Sequence, residues 1–361
     1  MFRSLILLTM ASCCLSMVAA FSGGTSSTAT LKPLGKKSTA LNVLEFLNKK
    51  QKLANYVHLD GSSDKESTSV AVVTGGNSGI GVESVSTLAL ANFNVVLCAR
   101  NIESANEVVD SLPSSLREKV RIQRLDLADM KSIQAAADEI IEKEGKIDVL
   151  LNNAGVMSPP KRETTAQGLE LQFGTNHVGH HLFTRLLLPV IEEGGRVVTV
   201  ASTAHSFGQL NFQNLNYDPE NSEEKRDYTA WGAYGQSKLA NILFAKGLDD
   251  RLKKADSSII SLSLHPGVIG TNLWRYSPKW TRPILNAIIA DKTVEQGAAT
   301  SMYCCLASSE TFQGGEYLSD CQIIEPNKFG QDETGSLRDK LWVATEKIIK
   351  ENGVDLSEDL N

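Results

Sequence analysis

Val70-Ala71-Val72-Val73-Thr74-Gly75-Gly76-Asn77-Ser78-Gly79-Ile80-Gly81 is the stretch that decides the fold. An unbroken apolar run feeds directly into glycines. That pattern predicts a short strand buried on both faces, as in a parallel sheet. The glycines allow a tight turn and a close approach of backbone to a ligand. Residues 78–92 then continue with helical spacing. A strand, a glycine turn and a helix in that order predict a dinucleotide site, with the pyrophosphate resting on the helix N-terminus. The stretch lacks the Gly-Lys-Ser/Thr ending of a P-loop.

The alternation continues down the chain. Strands are expected at 70–73, 94–98, 120–125, 147–151, 196–200, 259–264 and near 316–319. Helices are expected over 78–92, 101–111, 129–144, most of 166–192, 230–253 and 294–308. This order predicts an α/β fold: a doubly wound, mostly parallel sheet of Rossmann type in a single domain. Residues 61–330 are assigned to that domain and 331–361 to a C-terminal helical extension. Ligands of such sheets bind outside the carboxyl ends of the strands.

Composition narrows the function classes. The chain of 361 residues is 42% hydrophobic and 22% charged, with a net charge of -6. Residues 1–40 hold Arg3, Lys32, Lys36 and Lys37 and no acid, so the rest is more acidic than the whole. An acidic body does not suit phosphate-backbone binding, and nucleic acid is not expected as a partner. The six cysteines show no CxxC and no histidine at metal spacing, so no metal is expected. They read as small buried residues of a reducing compartment.

The N-terminus reads as a leader. Arg3, the apolar run Leu5 to Val18 and the small residues Val18-Ala19-Ala20 have the layout of a signal peptide over 1–20. A retained membrane anchor is the alternative. Phe21 then opens a Ser/Thr-rich stretch with lysines and no acid before Glu45, and 21–60 is assigned to a transit-like leader and linker. This two-part leader resembles those of algae with complex plastids. It implies a plastid (chloroplast) destination, with the endoplasmic reticulum or another endomembrane as the alternative.

The catalytic candidates lie farther on. Tyr234 and Lys238 are four apart on an expected helix, so they share a face. A neighbouring ammonium favours the phenolate and is expected to lower the tyrosine pKa toward working pH. The phenol could then exchange a proton with a carbonyl or alcohol oxygen while hydride moves at the adjacent carbon. Of the seven tyrosines, only Tyr234 has lysine at i+4. His177, His180, His181 and His205 are read as structural or surface residues, since the Tyr–Lys pair already supplies proton transfer.

The turn has the spacing TGxxxGxG, and with Asn152-Asn153-Ala154-Gly155, Ser202, Tyr234-x-x-x-Lys238 and Pro266-Gly267 it resembles the short-chain dehydrogenase/reductase family. The resemblance runs from about residue 69 to 320. It implies an NADP(H)-dependent oxidoreductase acting on a small-molecule carbonyl or alcohol. It also implies a cofactor set of Gly75, Asn77, Ser78, Gly79, Ile80, Gly81, Arg100, Asp126, Asn153, Ala154, Gly155, Tyr234, Lys238, Pro266, Gly267 and Thr271. Arg100 ends the second strand, where NAD enzymes of this fold carry an acid; its planar fork suits a 2′-phosphate. Asp126 resembles the adenine contact, or else supports its own turn. The implied catalytic set is Tyr234, Lys238, Ser202 and Asn176: Ser202 for the reacting oxygen, Asn176 for a relay water. Ala201 departs from the Gly or Ser usual before the serine.

Ala233 to Asn241, Asn176 to His180 and His265-Pro266-Gly267 resemble the retinol-dehydrogenase-like branch. They are especially similar to a plant dehydrogenase associated with the chloroplast inner-envelope translocon. A redox-sensing translocon partner and a protochlorophyllide reductase are the other readings, and a homo-oligomer stays open. Residues 273–290 mix tryptophans, a tyrosine and cations with an apolar run. They are read as a substrate cover, either packed on the core or suited to a lipophilic substrate and peripheral membrane contact.

Overall fold

The computed structural model describes residues 32–59, 68–221, 225–269, 291–357 and 360. The signal-peptide reading, Thr271 and the substrate cover at 273–290 lie outside the described residues. Strands β1 (Val70–Thr74), β2 (Asn94–Ala99), β3 (Val120–Arg124), β4 (Ile147–Asn152), β5 (Ile191–Val200), β6 (Ile260–His265), β7 (Tyr317–Ser319) and β8 (Gln322–Ile324) form one sheet. Their order is β3-β2-β1-β4-β5-β6-β7-β8. All pairs are parallel except β7 with β8. The order reverses between β1 and β4, which sets a crevice at their carboxyl ends.

The apolar runs form strands because both faces are covered. Ala71, Val73, Val95 and Leu97 enter one core cluster, while Val70, Val72, Val96 and Cys98 enter the other. The alternation follows from side chains pointing to opposite faces along a strand. Helices α1 (Ala40–Lys50), α2 (Ile80–Leu90), α3 (Ile102–Ser111) and α7 (Val294–Leu306) flank the first face. Helices α4 (Met130–Glu144), α5 (Gly179–Leu187), α6 (Ala230–Lys254) and α8 (Ser336–Glu351) flank the second.

Three regions differ from the sequence expectation. First, residues 40–57 are docked, although the reading places 21–60 in the leader and linker. Thr39 and Asn42 form a capping box at the start of α1. Ala40, Val43, Leu44 and Leu47 are buried, at the i, i+3, i+4, i+7 spacing of a helix stripe. The chain then returns along α7, with Ala54 N–H donating to the Leu306 carbonyl at 2.9 Å and Tyr56 Oη to the Cys305 carbonyl at 2.7 Å.

Second, the C-terminal extension is part of the same core. Trp342 of α8 stacks on Phe244 of α6 at 6.0 Å between ring centres. Glu346 accepts from His181 at 2.9 Å and pairs with Arg185 at 3.1 Å. Third, the helix expected over 166–192 is broken. Leu171–Phe173 leads into a π-helical turn at Gly174–Val178, α5 follows, and β5 already starts at Ile191. Only pairing across the sheet, Ile147 with Ile191, recruits that polar segment into the strand. The four described cysteines, Cys98, Cys304, Cys305 and Cys321, are free and buried.

Leu44→Ala tests whether α1 belongs to the folded unit. Leu44 is 1% exposed, and a buried Leu→Ala change costs about 2–5 kcal/mol. Urea unfolding should show a loss in that range. A loss under about 0.5 kcal/mol, the size of ordinary surface substitutions, would mean that the helix adds nothing to the core.

Candidate active site

The glycine turn leaves β1 in conformations that suit glycine, with φ of 66° at Gly75 and 54° at Gly79. At Gly81 a Cβ would stand 2.2 Å from the Gly75 carbonyl oxygen, so the turn closes only without one. Helix α2 then begins with no side chain capping its N-terminus. In its first turn Gly81 and Val82 N–H bond back to the Ser78 and Gly79 carbonyls at 3.1 and 3.2 Å, and the positive end of the helix dipole faces the turn, where an anion is favoured. Asn77 ties the turn to α3 through Ser104 Oγ at 2.6 Å. Ser78 closes the turn by accepting Gly81 N–H at 3.1 Å, and Ile80 packs against the core.

The loop after β4 is knitted to this turn. Thr74 Oγ1 accepts the N–H groups of Asn153 and Ala154, each at 2.9 Å. Asn153 Nδ2 returns a bond to the Thr74 carbonyl at 2.7 Å. A Cβ on Gly75 would meet Ala154 Cα at 3.0 Å, so the two loops touch. Gly155 is exposed beside them. At the end of β2 the Arg100 side chain is 67% exposed, with Nη1 3.9 Å from Asp126 Oδ2. Asp126 Oδ1 accepts Ala128 N–H at 3.0 Å, so this carboxylate also supports its own turn.

The acid–base candidates converge on the same crevice. Thr229 caps α6 by accepting Gly232 N–H at 3.2 Å. The helix then carries Tyr234 and Lys238 on one face, with Lys238 Nζ 5.7 Å from the Tyr234 ring centre. Nζ donates to the Val200 carbonyl at 2.9 Å. Ser202 follows the end of β5, near enough to the Tyr234 phenol to act against the rise in its pKa. Asn176 lies in the π turn and is fully buried. Its Oδ1 accepts Val156 N–H at 2.8 Å, and its Nδ2 donates to the Val156 carbonyl at 2.9 Å and to Ser237 Oγ at 3.0 Å. A Cβ on Gly155 would lie 3.4 Å from Asn176 Oδ1 and 3.6 Å from Lys238 Nζ. The loop after β4 thus borders both the glycine turn and the lysine.

Electrostatics corrects one expectation. The sequence argument has Lys238 lowering the Tyr234 pKa, but burial dominates. Desolvation pushes the phenol up to about 12, opposed by the Ser202 side chain. Desolvation also pulls Lys238 down to about 8. A low-dielectric crevice penalises both charged forms, and the ammonium hydrogen-bonds the Val200 carbonyl rather than the phenolic oxygen.

The remaining residues take varied places. Pro266 and Gly267 follow β6, with Gly267 at φ 96° and the Lys292 chain packed over it. His177 pairs with Thr345 and His181 with Glu346, each at 2.9 Å, and His205 accepts Asn327 N–H at 3.0 Å, which ties down helix and loop packing. Sequence reasoning missed Thr74 as the knot between loops, and His180, whose i+4 spacing from Asn176 is its only signal. It also missed an apolar rim. Phe207 and Trp231 are 53% and 46% exposed. Their rings meet at 6.3 Å, and Trp231 lies 6.0 Å from Tyr234. Among the described residues, no three His, Cys, Asp or Glu side chains gather where a metal could sit, and no helix is long and apolar enough to cross a membrane.

Comparison with known proteins agrees with this fold. Residues 69–214 match the family model for short chain dehydrogenase. Mouse retinol dehydrogenase 11 is 38% identical, over 76% of this chain and 84% of its own length. The chloroplastic short-chain dehydrogenase TIC 32 B of Brassica napus is 35% identical, over 77% of this chain and 88% of its own. A solved structure of an uncharacterized protein from Mycobacterium paratuberculosis superposes with a TM-score of 0.63 at 31% identity, covering 78% of this chain and 93% of that one.

The two glycines of the crevice should respond differently to a methyl group. Gly81→Ala forces a 2.2 Å clash with backbone and should cost about 1–3 kcal/mol, as overpacking does. Gly155→Ala meets only ordinary contacts and should stay within about 0.5 kcal/mol. Equal losses in denaturant unfolding would contradict the tight turn.

Proposed function

The chain belongs to the short-chain dehydrogenase/reductase family of oxidoreductases, and on that premise we propose that it is an NADP(H)-dependent reductase of apolar carbonyl compounds, working on the alcohols in reverse. The reading rests on one juxtaposition: Tyr234, Ser202 and Lys238 share a crevice with the N-terminal end of α2 behind the Gly75–Gly81 turn. When bound, the reduced nicotinamide supplies hydride to the carbonyl carbon. Gly75, Asn77, Ser78, Gly79, Ile80, Gly81, Asn153, Ala154 and Gly155 would hold the pyrophosphate and ribose end. Arg100 and Asp126 would take the adenosine end, and Pro266, Gly267 and Thr271 the nicotinamide end. The uncapped helix and the Cβ-free turn fit such a group.

The protein's own side chains would manage the proton. Ser202 would hydrogen-bond the substrate oxygen, and the Tyr234 phenol, neutral at working pH, would give it a proton. The Lys238 ammonium would restore that proton, aided by a water at Asn176. Phe207 and Trp231 would present an apolar rim to the substrate. The mouse relative's name, retinol dehydrogenase, supports an apolar substrate. A second reading, an NADP-binding sensor for a translocon, is favoured by the Brassica relative named TIC 32. The same relative and the two-part leader support a plastid location.

Turnover assays test the chemistry. With NADPH, kcat/KM should rise with aldehyde chain length. Tyr234→Phe should fold and bind cofactor yet lose about 10²–10⁴-fold in kcat. Near-wild-type turnover in that variant would remove Tyr234 from the mechanism. The ammonium form of Lys238 exists below its depressed pKa and is lost above it. Carbonyl reduction should therefore decline as pH rises through about 8, and a plateau up to the ordinary lysine range near ~10.4 would contradict the relay.

Cofactor choice is tested separately. NADPH should bind tighter than NADH, and Arg100→Asp should reverse the preference by replacing attraction to the 2′-phosphate with repulsion. Equal dissociation constants in the wild type would refute the assignment.

For location, a fluorescent fusion of residues 1–60 should enter the plastid. Its retention in the cytosol would count against the leader reading.

A further inference from the structure

We propose that His180 is a positioning residue for the proton relay: one imidazole ties the main-chain carbonyl of Asn176 to the Thr74 hydroxyl beneath the glycine turn. The proposal rests on the reading above, in which Asn176 serves the relay. His180 is buried, with Nδ1 2.9 Å from the Asn176 carbonyl oxygen and Nε2 2.9 Å from Thr74 Oγ1. Neither contact is with the Tyr–Lys pair itself.

A count of donors and acceptors assigns the tautomer. The Asn176 carbonyl can only accept, so Nδ1 carries the proton. Thr74 Oγ1 already accepts two N–H groups, from Asn153 and Ala154. A hydroxyl has two acceptor sites and one proton. That proton goes to His180 Nε2 at 2.9 Å, since the alternative acceptor, the Leu151 carbonyl, is 3.5 Å away. The ring is therefore neutral with hydrogen on Nδ1. An imidazolium would point a second N–H at an oxygen with no acceptor site left. Burial and the charge of Lys238 both disfavour that form, holding the ring down at about 4. Lys238 and His177 are the titratable groups that act on it electrostatically, and both remain next to a neutral ring over the working range.

The location gives the clamp its use. In the π turn, Gly179 N–H reaches back to the Gly174 carbonyl, five residues away. Such slips in the ladder move carbonyls out of helical register and are common at functional sites. The Asn176 side chain is fixed from the other side by Val156 and Ser237. His180 fixes its carbonyl. Through Thr74 the same ring reaches the loop that carries Asn153 to Gly155, so the relay residue and the cofactor loop are set against each other by one side chain.

Two substitutions separate the two bonds. In H180N the amide nitrogen replaces Nδ1 and keeps the donor to the Asn176 carbonyl. In H180Q the longer side chain reaches the Nε2 position, keeping the partner for Thr74 and losing that donor. Full-length wild type, H180N and H180Q would be compared for kcat with NADPH and an aldehyde across pH 6–10, for the NADPH dissociation constant, and by nitrogen NMR of the histidine rings. We expect an Nδ1–H ring that does not titrate. H180Q should lose about 10–100-fold in kcat, the cost of a small misplacement, and should show an altered pH profile at near-normal NADPH affinity. H180N should recover most of that loss while binding NADPH more weakly. An Nε2–H or titrating ring, or parallel losses in both variants with an unchanged pH profile, would overturn the positioning role. A wild type that turns over no carbonyl compound would instead sink the parent reading, and the proposal with it.

Discussion

Thr74 Oγ1 receives the backbone N–H groups of Asn153 and Ala154 while Asn153 returns a bond to the Thr74 carbonyl, and this knot joins the carboxyl ends of β1 and β4. It lies where the strand order reverses, the point at which the following helices diverge to opposite faces and open a crevice. The glycine turn is built on one half of the knot and the Asn153–Gly155 loop on the other. A buried backbone donor left unpaired costs about 1–3 kcal/mol, so neither loop is free to drift. The crevice therefore has a fixed floor.

That floor sets the electrostatics above it. Tyr234 and Lys238 are both buried, and each is driven toward its neutral form. The lysine gains some relief from the Val200 carbonyl, and the phenol from Ser202. Neither neutralises the other in the protein alone. The pair is better described as a protonated phenol beside an easily deprotonated ammonium than as a ready-made phenolate. Such an arrangement keeps a proton on the phenol at working pH, where a substrate oxygen could take it.

Packing outside the sheet holds these helices in place. Helix α6 bears both candidates and is gripped by α8 through Phe244 and Trp342. On the opposite face α1 and the segment behind it cover α7, and the buried Arg196 guanidinium lies between the rings of Tyr56 and Phe312, at 5.5 and 5.6 Å. Both terminal segments thus stabilise the sheet from outside its repeating β-α pattern.

The sequence by itself determined the sheet. The runs at 70–73, 95–99 and 149–151 are apolar on every residue, as strands covered on both faces require, and glycine spacing placed the turn at the end of the first. Tyr234 and Lys238 were legible because helical periodicity is local. The tertiary structure decided what depends on partners distant in sequence. Residues 40–57 read as leader because a short amphipathic stripe does not name the surface that buries it, and that surface is α7, some 250 positions away. The π turn at 174–178, the strand start at Ile191 and the His180 bridge to Thr74 arise from contacts across the sheet. The shift of Tyr234 upward was likewise invisible, because desolvation depends on everything packed around the phenol, whereas the i+4 lysine is only one of its neighbours.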